Sequence, residues 1–161
     1  MNATKLNDWM QVVGIFAVVA SLIFVGLEMR QAQEISMSQA YQSRAAAVVE
    51  WDSAFAANPA ALSAQRKAAD GAADEITTEE YDALRFTLLG VFNLYDNAHY
   101  QYQKGFVSQE FWDMTRGNLK NQMMNPVANA IFLKKVDQGV RPDFRDVVLK
   151  ISKEVEAQPD K

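Results

Sequence analysis

The chain contains one histidine, and its spacing from an acidic residue is the first feature that could support chemistry. His99 follows Asp96 by three residues, so on a helix the two side chains would share a face. Di-iron carboxylate bundles use two Glu-x-x-His elements together with two further carboxylates. A single histidine cannot complete that site within one chain. His99 therefore has two interpretations: a buried ring bonded to Asp96 or Tyr95, which we favour, or an axial ligand to a haem or chlorin pigment.

Other classes of catalytic site lack their required residues. The chain has no cysteine, which excludes thiol nucleophiles, iron–sulfur clusters and cysteine-bound zinc. Neither a serine nucleophile elbow nor a glycine-rich phosphate loop occurs. The acidic pairs Asp74-Glu75 and Glu79-Glu80 are placed like helix-start charges, which the helix dipole favours. The sequence therefore predicts no catalytic residue, no metal site and no cofactor, although an enzyme using buried carboxylates stays open as a third class of function.

An aromatic group near the histidine could line a pocket for an apolar ligand or pigment. Such a group more commonly forms part of a hydrophobic core, so both interpretations stay open. Its members are Tyr95, Tyr100, Tyr102, Phe106, Phe111 and Trp112.

The charge balance argues against one class of partner. The formal net charge is −4, whereas a general nucleic-acid binder shows a basic excess. We therefore predict no nucleic-acid partner.

The segment from Trp9 to Leu27 contains no charged residue. As a helix its nineteen residues would extend about 28 Å, close to the thickness of the hydrocarbon core of a bilayer. Asp8 and Glu28 bound the run, and Trp9 suits the headgroup region. These features predict a transmembrane helix.

The alternative of a cleaved signal peptide is less favoured. A signal peptide needs a basic start and a pair of small residues after the apolar run, and here the run ends in LEMRQ. Lys5 precedes the span, whereas Arg30 and Arg44 follow it. The positive-inside rule then places the C-terminal body in the cytoplasm.

One stripe of the predicted span carries small and polar residues. Such residues let another membrane helix approach closely and offer it hydrogen bonds. The stripe is therefore interpreted as a packing face for a partner helix or for a second copy of this one, although glycine, alanine and serine are common in any span. Its members are Gln11, Gly14, Ala17, Ser21 and Glu28.

The remaining residues predict an all-α fold. No Gly or Pro occurs between Glu28 and Asn58, so the span is expected to continue as one long amphipathic helix. Arg44 interrupts its apolar stripe, whose members are Met37, Tyr41, Val48, Trp51 and Phe55. Four to five further helices should form an antiparallel bundle, with starts at Asn58-Pro59, Thr77 (with Glu80), Ser108, Asn125-Pro126 and Pro142, and ends at Gly71, Gly105 and Gly139. We thus expect a tail over residues 1–8, a transmembrane helix over 9–27 and a helical bundle over 28–161.

The opening helix resembles that of an uncharacterised family of bacterial proteins. In that family an apolar helix carries an SL-[IV]-[FY]-VG-L motif, followed by an Arg-Gln pair. The matching residues here are 21–27 and 30–31, with later similarities at Gly105, 111–112 and 142–145, whereas Ala32 stands where the family often has Asn. The resemblance implies a bacterial membrane protein with a helical body, and it implies no activity. With the orientation given above, it predicts a protein of the bacterial inner membrane.

The sequence therefore predicts a non-catalytic, single-pass membrane protein that serves as an accessory or structural subunit of a larger membrane assembly. Its expected partners are the lipid bilayer and other membrane subunits or a second copy, through the transmembrane helix. The alternative is a membrane-anchored ligand-binding or sensory module.

Overall fold

The computed structural model describes residues 3–157, with side chains from residue 8 onward. No strand occurs in that part of the chain, and the all-α prediction is confirmed. The elements are α1 (Ala3–Ala56), α2 (Pro59–Ala69), a short 3-10 turn (Ala73–Glu75), α3 (Thr78–Gln103), α4 (Gln109–Met123), α5 (Pro126–Gln138) and α6 (Pro142–Glu156). The chain divides into two compact units, Met1–Ala40 and Tyr41–Lys161.

The first unit consists of the N-terminal part of α1. Its apolar segment has a mean hydropathy of 2.4 over an 18-residue window, and none of that window is buried. By length and composition α1 is the one helix among residues 3–157 that could cross a membrane. The helix already includes residues 3–8, for which the sequence predicted a short tail. It then runs on without a break to Ala56, as the lack of Gly and Pro after Glu28 predicted.

The helices of the second unit begin at the residues that the sequence predicted. Asn58 caps α2, because its side-chain oxygen accepts a hydrogen bond from the backbone N–H of Ala61 at 3.1 Å. Thr77 and Glu80 form a reciprocal capping box, with bonds of 3.3 and 2.8 Å. The side chains of Ser108 and Asn125 cap α4 and α5 by accepting hydrogen bonds from backbone N–H groups of the first turn. Each cap satisfies backbone donors that the first helical turn leaves free.

A cluster of aromatic rings forms the centre of the second unit. Helix α3 contacts α2, α4 and α5, and α6 packs against α4 and α5. The rings of Phe92, Phe132 and Phe144 are fully buried. The centroid of Phe92 lies 5.2 Å from that of Phe132 and 5.3 Å from that of Phe144, within the range in which aromatic pairs attract each other. Three helices therefore meet at one aromatic cluster.

The C-terminal end of α1 packs on α3 through a tryptophan. Trp51 donates a hydrogen bond from Nε1 to the carbonyl oxygen of Thr87 at 2.9 Å. Its ring also lies against Gly90, where an added Cβ would be only 3.2 Å from Trp51 Cδ1. A glycine in the middle of α3 thus lets the indole approach the backbone of the helix closely.

The predicted apolar stripe of α1 holds only at its C-terminal end. Met37, Tyr41 and Val48 are exposed, whereas Trp51 is half-buried. Arg44, which the sequence analysis treated as an interruption of the stripe, is itself half-buried. The prediction was wrong here because a seven-residue spacing gives the face of a helix but not the length over which a neighbour covers it.

Candidate functional site

The imidazole of His99 lies in the core of the second unit. Its side chain is 6% exposed, and its ring centroid is 4.8 Å from that of Trp112 and 5.7 Å from that of Phe144. The Nδ1 atom is buried without a hydrogen-bond partner. A buried ring nitrogen without a partner costs free energy, because it has lost its bonds to water.

The predicted bond between His99 and Asp96 or Tyr95 is wrong. Asp96 Oδ1 instead accepts hydrogen bonds from Nε and Nη2 of Arg141, at 3.0 and 2.7 Å. Nη2 of Arg141 also donates to the backbone oxygen of Asp96 at 2.6 Å. A guanidinium is a stronger donor to a carboxylate than a neutral imidazole. The approach of Arg141 therefore takes the carboxylate away from the histidine.

Burial lowers the pKa of His99, and the positive charge of Arg141 lowers it further, against the opposing effects of Asp143 and Asp96. The imidazole is therefore neutral at pH 7. Among the described residues no group of three or more His, Asp and Glu side chains could hold a metal ion. A haem or pigment ligated by His99 stays a prediction.

A cavity of about 370 Å³ lies between the C-terminal part of α1, α3 and α4. All of its lining residues belong to the second unit. Apolar side chains make up much of the wall, including Val48, Trp51, Val91, Leu94 and Met114. Such a cavity, mostly apolar with a few polar groups, is typical of a small-molecule site.

Arg44 is the one charged residue among those that line this cavity. Its guanidinium lies over the ring of Phe111, with Cζ 4.8 Å from the ring centroid. Nη1 donates a hydrogen bond to the side-chain oxygen of Gln101, and Nε is buried without a partner. Burial lowers the pKa of Arg44, and the Tyr41 phenol opposes that change.

No carboxylate in the described part of the chain forms an ion pair with Arg44. The guanidinium instead contacts an uncharged amide, that of Gln101, and an aromatic face, that of Phe111. The guanidinium therefore adds an uncompensated positive charge to the wall of the cavity. A lone base within an apolar stripe was the sequence signal for Arg44, although the stripe itself predicted only an interruption there.

The predicted aromatic group separates into three environments. Tyr95 and Phe111 line the cavity. Trp112 is buried in the core, with the half-buried ring of Tyr102 stacked against it. Tyr100 and Phe106 are exposed. Burial raises the pKa of Tyr95 to about 12, so this phenol is neutral at pH 7. The group as a whole therefore does not line one pocket.

A second cavity, of about 440 Å³, lies between α2, α3, α4 and α5. Tyr95 and Asn118 line both cavities. The other polar members of its wall are amides, Gln65, Asn121, Gln122 and Asn125. These groups can donate and accept hydrogen bonds but carry no charge.

The carboxylate of Glu80, in the first turn of α3, has a structural role. Glu80 accepts hydrogen bonds from Lys67 Nζ at 2.8 Å and from Ser63 Oγ at 2.6 Å, in addition to that from the Thr77 N–H. The bonds from Lys67, Ser63 and Thr77 lower the pKa of Glu80 to about 2. This carboxylate stays ionised at neutral pH, which is unsuitable for a general acid.

The predicted packing face of the span lies on the exposed surface of α1. The residues from 8 to 39, which include Gln11, Gly14, Ala17, Ser21 and Glu28, are all exposed. Ser21 Oγ donates a hydrogen bond to the carbonyl oxygen of Ala17 at 2.8 Å. The hydroxyl proton is therefore used within the helix, and only the oxygen is left to accept a bond from a neighbour.

Comparisons of the chain with protein-family models, with curated proteins and with solved structures found no match.

Proposed function

We propose that this chain is a single-pass membrane protein without catalytic activity, which joins a larger membrane assembly as an accessory or structural subunit. The observation that supports this proposal is the state of α1, in which the residues from 8 to 39 are exposed although residues 9–27 are uncharged and mostly apolar. In water this surface would be unfavourable. A bilayer supplies the missing apolar surroundings.

The energetics favour insertion. Residues 9–27 include eleven Val, Ile, Leu and Phe residues. At roughly −0.3 to −0.6 kcal/mol each at the centre of a membrane helix, these residues contribute about −3 to −7 kcal/mol. Gln11, Gly14 and Ser21 reduce that gain without reversing it. The Ser21–Ala17 hydrogen bond lowers the cost of placing the serine in hydrocarbon, because its hydroxyl proton has an acceptor in the same helix.

The small and polar stripe supports association rather than simple anchoring. Gly14 has no heavy atom within 4 Å of where a Cβ would lie, so the backbone there is open to close approach. Ala17 and Ser21 form a small-xxx-small pair on the same side. Helices in membranes associate through such faces because van der Waals packing, and not the hydrophobic effect, holds them together.

Site-specific photo-crosslinking tests the association. A photoreactive residue at Ala17 is expected to form an adduct with a membrane partner in intact membranes. The matched control is Ile23, which is exposed and lies on another side of the same helix. Two differently tagged copies of the chain distinguish self-association from a different subunit. Equal crosslinking at Ala17 and Ile23, or none at either, would rule out this face as a specific contact.

The compartment and orientation belong to the same proposal. We infer a bacterial inner-membrane protein with a cytoplasmic body, from the resemblance of residues 21–27 to a bacterial family and from the bases Arg30 and Arg44. Alkaline carbonate should leave the chain in the membrane pellet at its full mass. Release into the supernatant would contradict an anchor, and loss of the N-terminal segment would indicate a cleaved signal.

A second candidate function is ligand binding by the helical body. The observation that favours it is the cavity beside Arg44, where apolar walls surround one charged group. A filled, well-packed interior would have argued against this function. The two candidates are compatible, because residues of the membrane stripe do not line the cavity.

A further inference from the structure

We propose that the cavity beside Arg44 binds a small amphiphilic monocarboxylate, such as a medium-chain alkanoate. The carboxylate pairs with the guanidinium, and the alkyl chain of the ligand lies against the apolar wall. This inference rests on the second candidate function, ligand binding by the helical body. It names the chemical class of the ligand and the residue that selects it.

The charge of the ligand follows from the composition of the wall. Arg44 is the one ionised group among the lining residues, and no acid lines the cavity. In the described residues Arg44 has no ion-pair partner, although the chain as a whole has a net charge of −4. Arg44 is half-buried and its Nε is buried without a hydrogen-bond partner, and a charge withdrawn from water is costly unless an opposite charge joins it. An anion in the cavity would supply that charge.

A single negative charge suits the site better than a phosphate dianion. Sites for phosphate dianions combine several basic side chains or the N–H groups of a helix N-terminus. Here one arginine faces the cavity, and its donors are partly used by Gln101. The guanidinium also stacks on the ring of Phe111, with Cζ of Arg44 4.8 Å from the ring centroid. This fixed orientation favours one carboxylate, which arginine binds with two hydrogen bonds.

The apolar part of the ligand follows from the remaining wall. Val48, Trp51, Val91, Leu94 and Met114 also line the cavity. The volume of about 370 Å³ lies at the lower end of the range for small-molecule sites. An unbranched chain of about eight carbons is of suitable size for a cavity at that end of the range. Met114 can adapt to such a chain, since methionine side chains are flexible.

Equilibrium dialysis of the full chain in phosphatidylcholine nanodiscs tests the proposal, with empty nanodiscs as the blank. The probes are octanoate, 1-octanol and octylammonium, which share an unbranched alkyl chain and differ in the charge of the head group. Octanoate should bind at least tenfold more tightly than either of the others. Arg44→Gln should weaken octanoate binding about ten- to a hundredfold, the range that one charge-assisted pair provides. Arg145→Gln, which removes an exposed cation of α6 outside this cavity, should leave binding unchanged.

A second variant tests whether the alkyl chain of the ligand lies in the cavity, and it keeps the charge of Arg44. Ala47 lines the cavity and is only half-buried, so Ala47→Phe should fill the space and abolish octanoate binding while the helical circular dichroism is kept. Equal binding of all three probes, lost in Ala47→Phe, would keep ligand binding and overturn the selection of a carboxylate by Arg44. Absence of binding by every probe would overturn both ligand binding by the helical body and the selection of a carboxylate by Arg44.

Discussion

Because the chain has one histidine, replacing His99 should remove a single, identifiable contribution to the pH dependence of stability. The ring is 6% exposed and its Nδ1 has no partner. Burial lowers its pKa in the folded chain and is the largest effect; Arg141 lowers the pKa further, and Asp143 and Asp96 oppose the change. In the unfolded chain the imidazole returns to a pKa of about 6.5.

The sign follows from proton linkage. Below about pH 6.5 the unfolded chain takes up a proton that the folded chain does not bind at the same pH, so acidification stabilises the unfolded state. The stability contribution of the neutral ring is thus fully present above about pH 6.5 and is lost as the pH falls toward the folded-state pKa. For one proton the slope is at most about 1.4 kcal/mol per pH unit. Carboxylates titrate mainly below pH 5, so the window from about pH 5 to 6.5 isolates the histidine.

The assay is urea denaturation of the full chain in nanodiscs at several pH values, with a tag that contains no histidine. We expect the free energy of unfolding to fall from pH 6.5 to 5 in the natural chain and to stay nearly level in His99→Phe. Phe144→Leu is the matched control, because it removes the ring beside His99 but keeps the imidazole. It should lower stability at every pH and retain the slope.

A direct measurement of the pKa is also available. Selective ¹³C labelling of histidine gives one imidazole signal, whose titration reports on His99 alone. A midpoint at or above 6.5, or the same pH slope in His99→Phe as in the natural chain, would refute the argument from burial. An imidazole that binds a haem or pigment would instead show an absorption band that His99→Phe removes.

Three further predictions concern the stability of the helical body, each measured by the same urea denaturation. Phe92→Ala should lower the free energy of unfolding by about 3–5 kcal/mol, because it empties a fully buried site between aromatic rings; a loss below 1 kcal/mol would contradict the packing described. Arg141→Lys should cost about 1–2 kcal/mol, because an ammonium keeps the charge but loses the fork of bonds to Asp96, and an unchanged midpoint would show those bonds to be unimportant. Gly117→Ala should stabilise the chain by up to about 1 kcal/mol, since nothing lies within 4 Å of its Cβ position. Gly139→Ala should destabilise the chain by about 1 kcal/mol or more, because Gly139 has a φ of 117°. The same sign for both substitutions would refute the argument that backbone conformation decides their effect.

The ends of the helices could be predicted from the sequence because they depend on residues close together in the chain. Asn58 and Thr77 cap helices through bonds to groups three residues away. The left-handed backbone at Gly105 and Gly139 likewise follows from the lack of a Cβ. The apolar segment 9–27 needed no structure either, since its length and lack of charge are properties of composition.

The candidate site, in contrast, depended on the tertiary structure. Asp96 is bound by Arg141, which lies 45 residues along the chain, and not by His99 three residues away. Arg44 meets Gln101 across 57 residues. Helical periodicity indicates which face of a helix is apolar, but it does not give the rotation and height at which two helices pack. Those two quantities place a lone arginine in the wall of a cavity. The sequence alone therefore determined the helices and the candidate membrane span, and only helix packing decided which charges pair and which one is left facing the space between α1, α3 and α4.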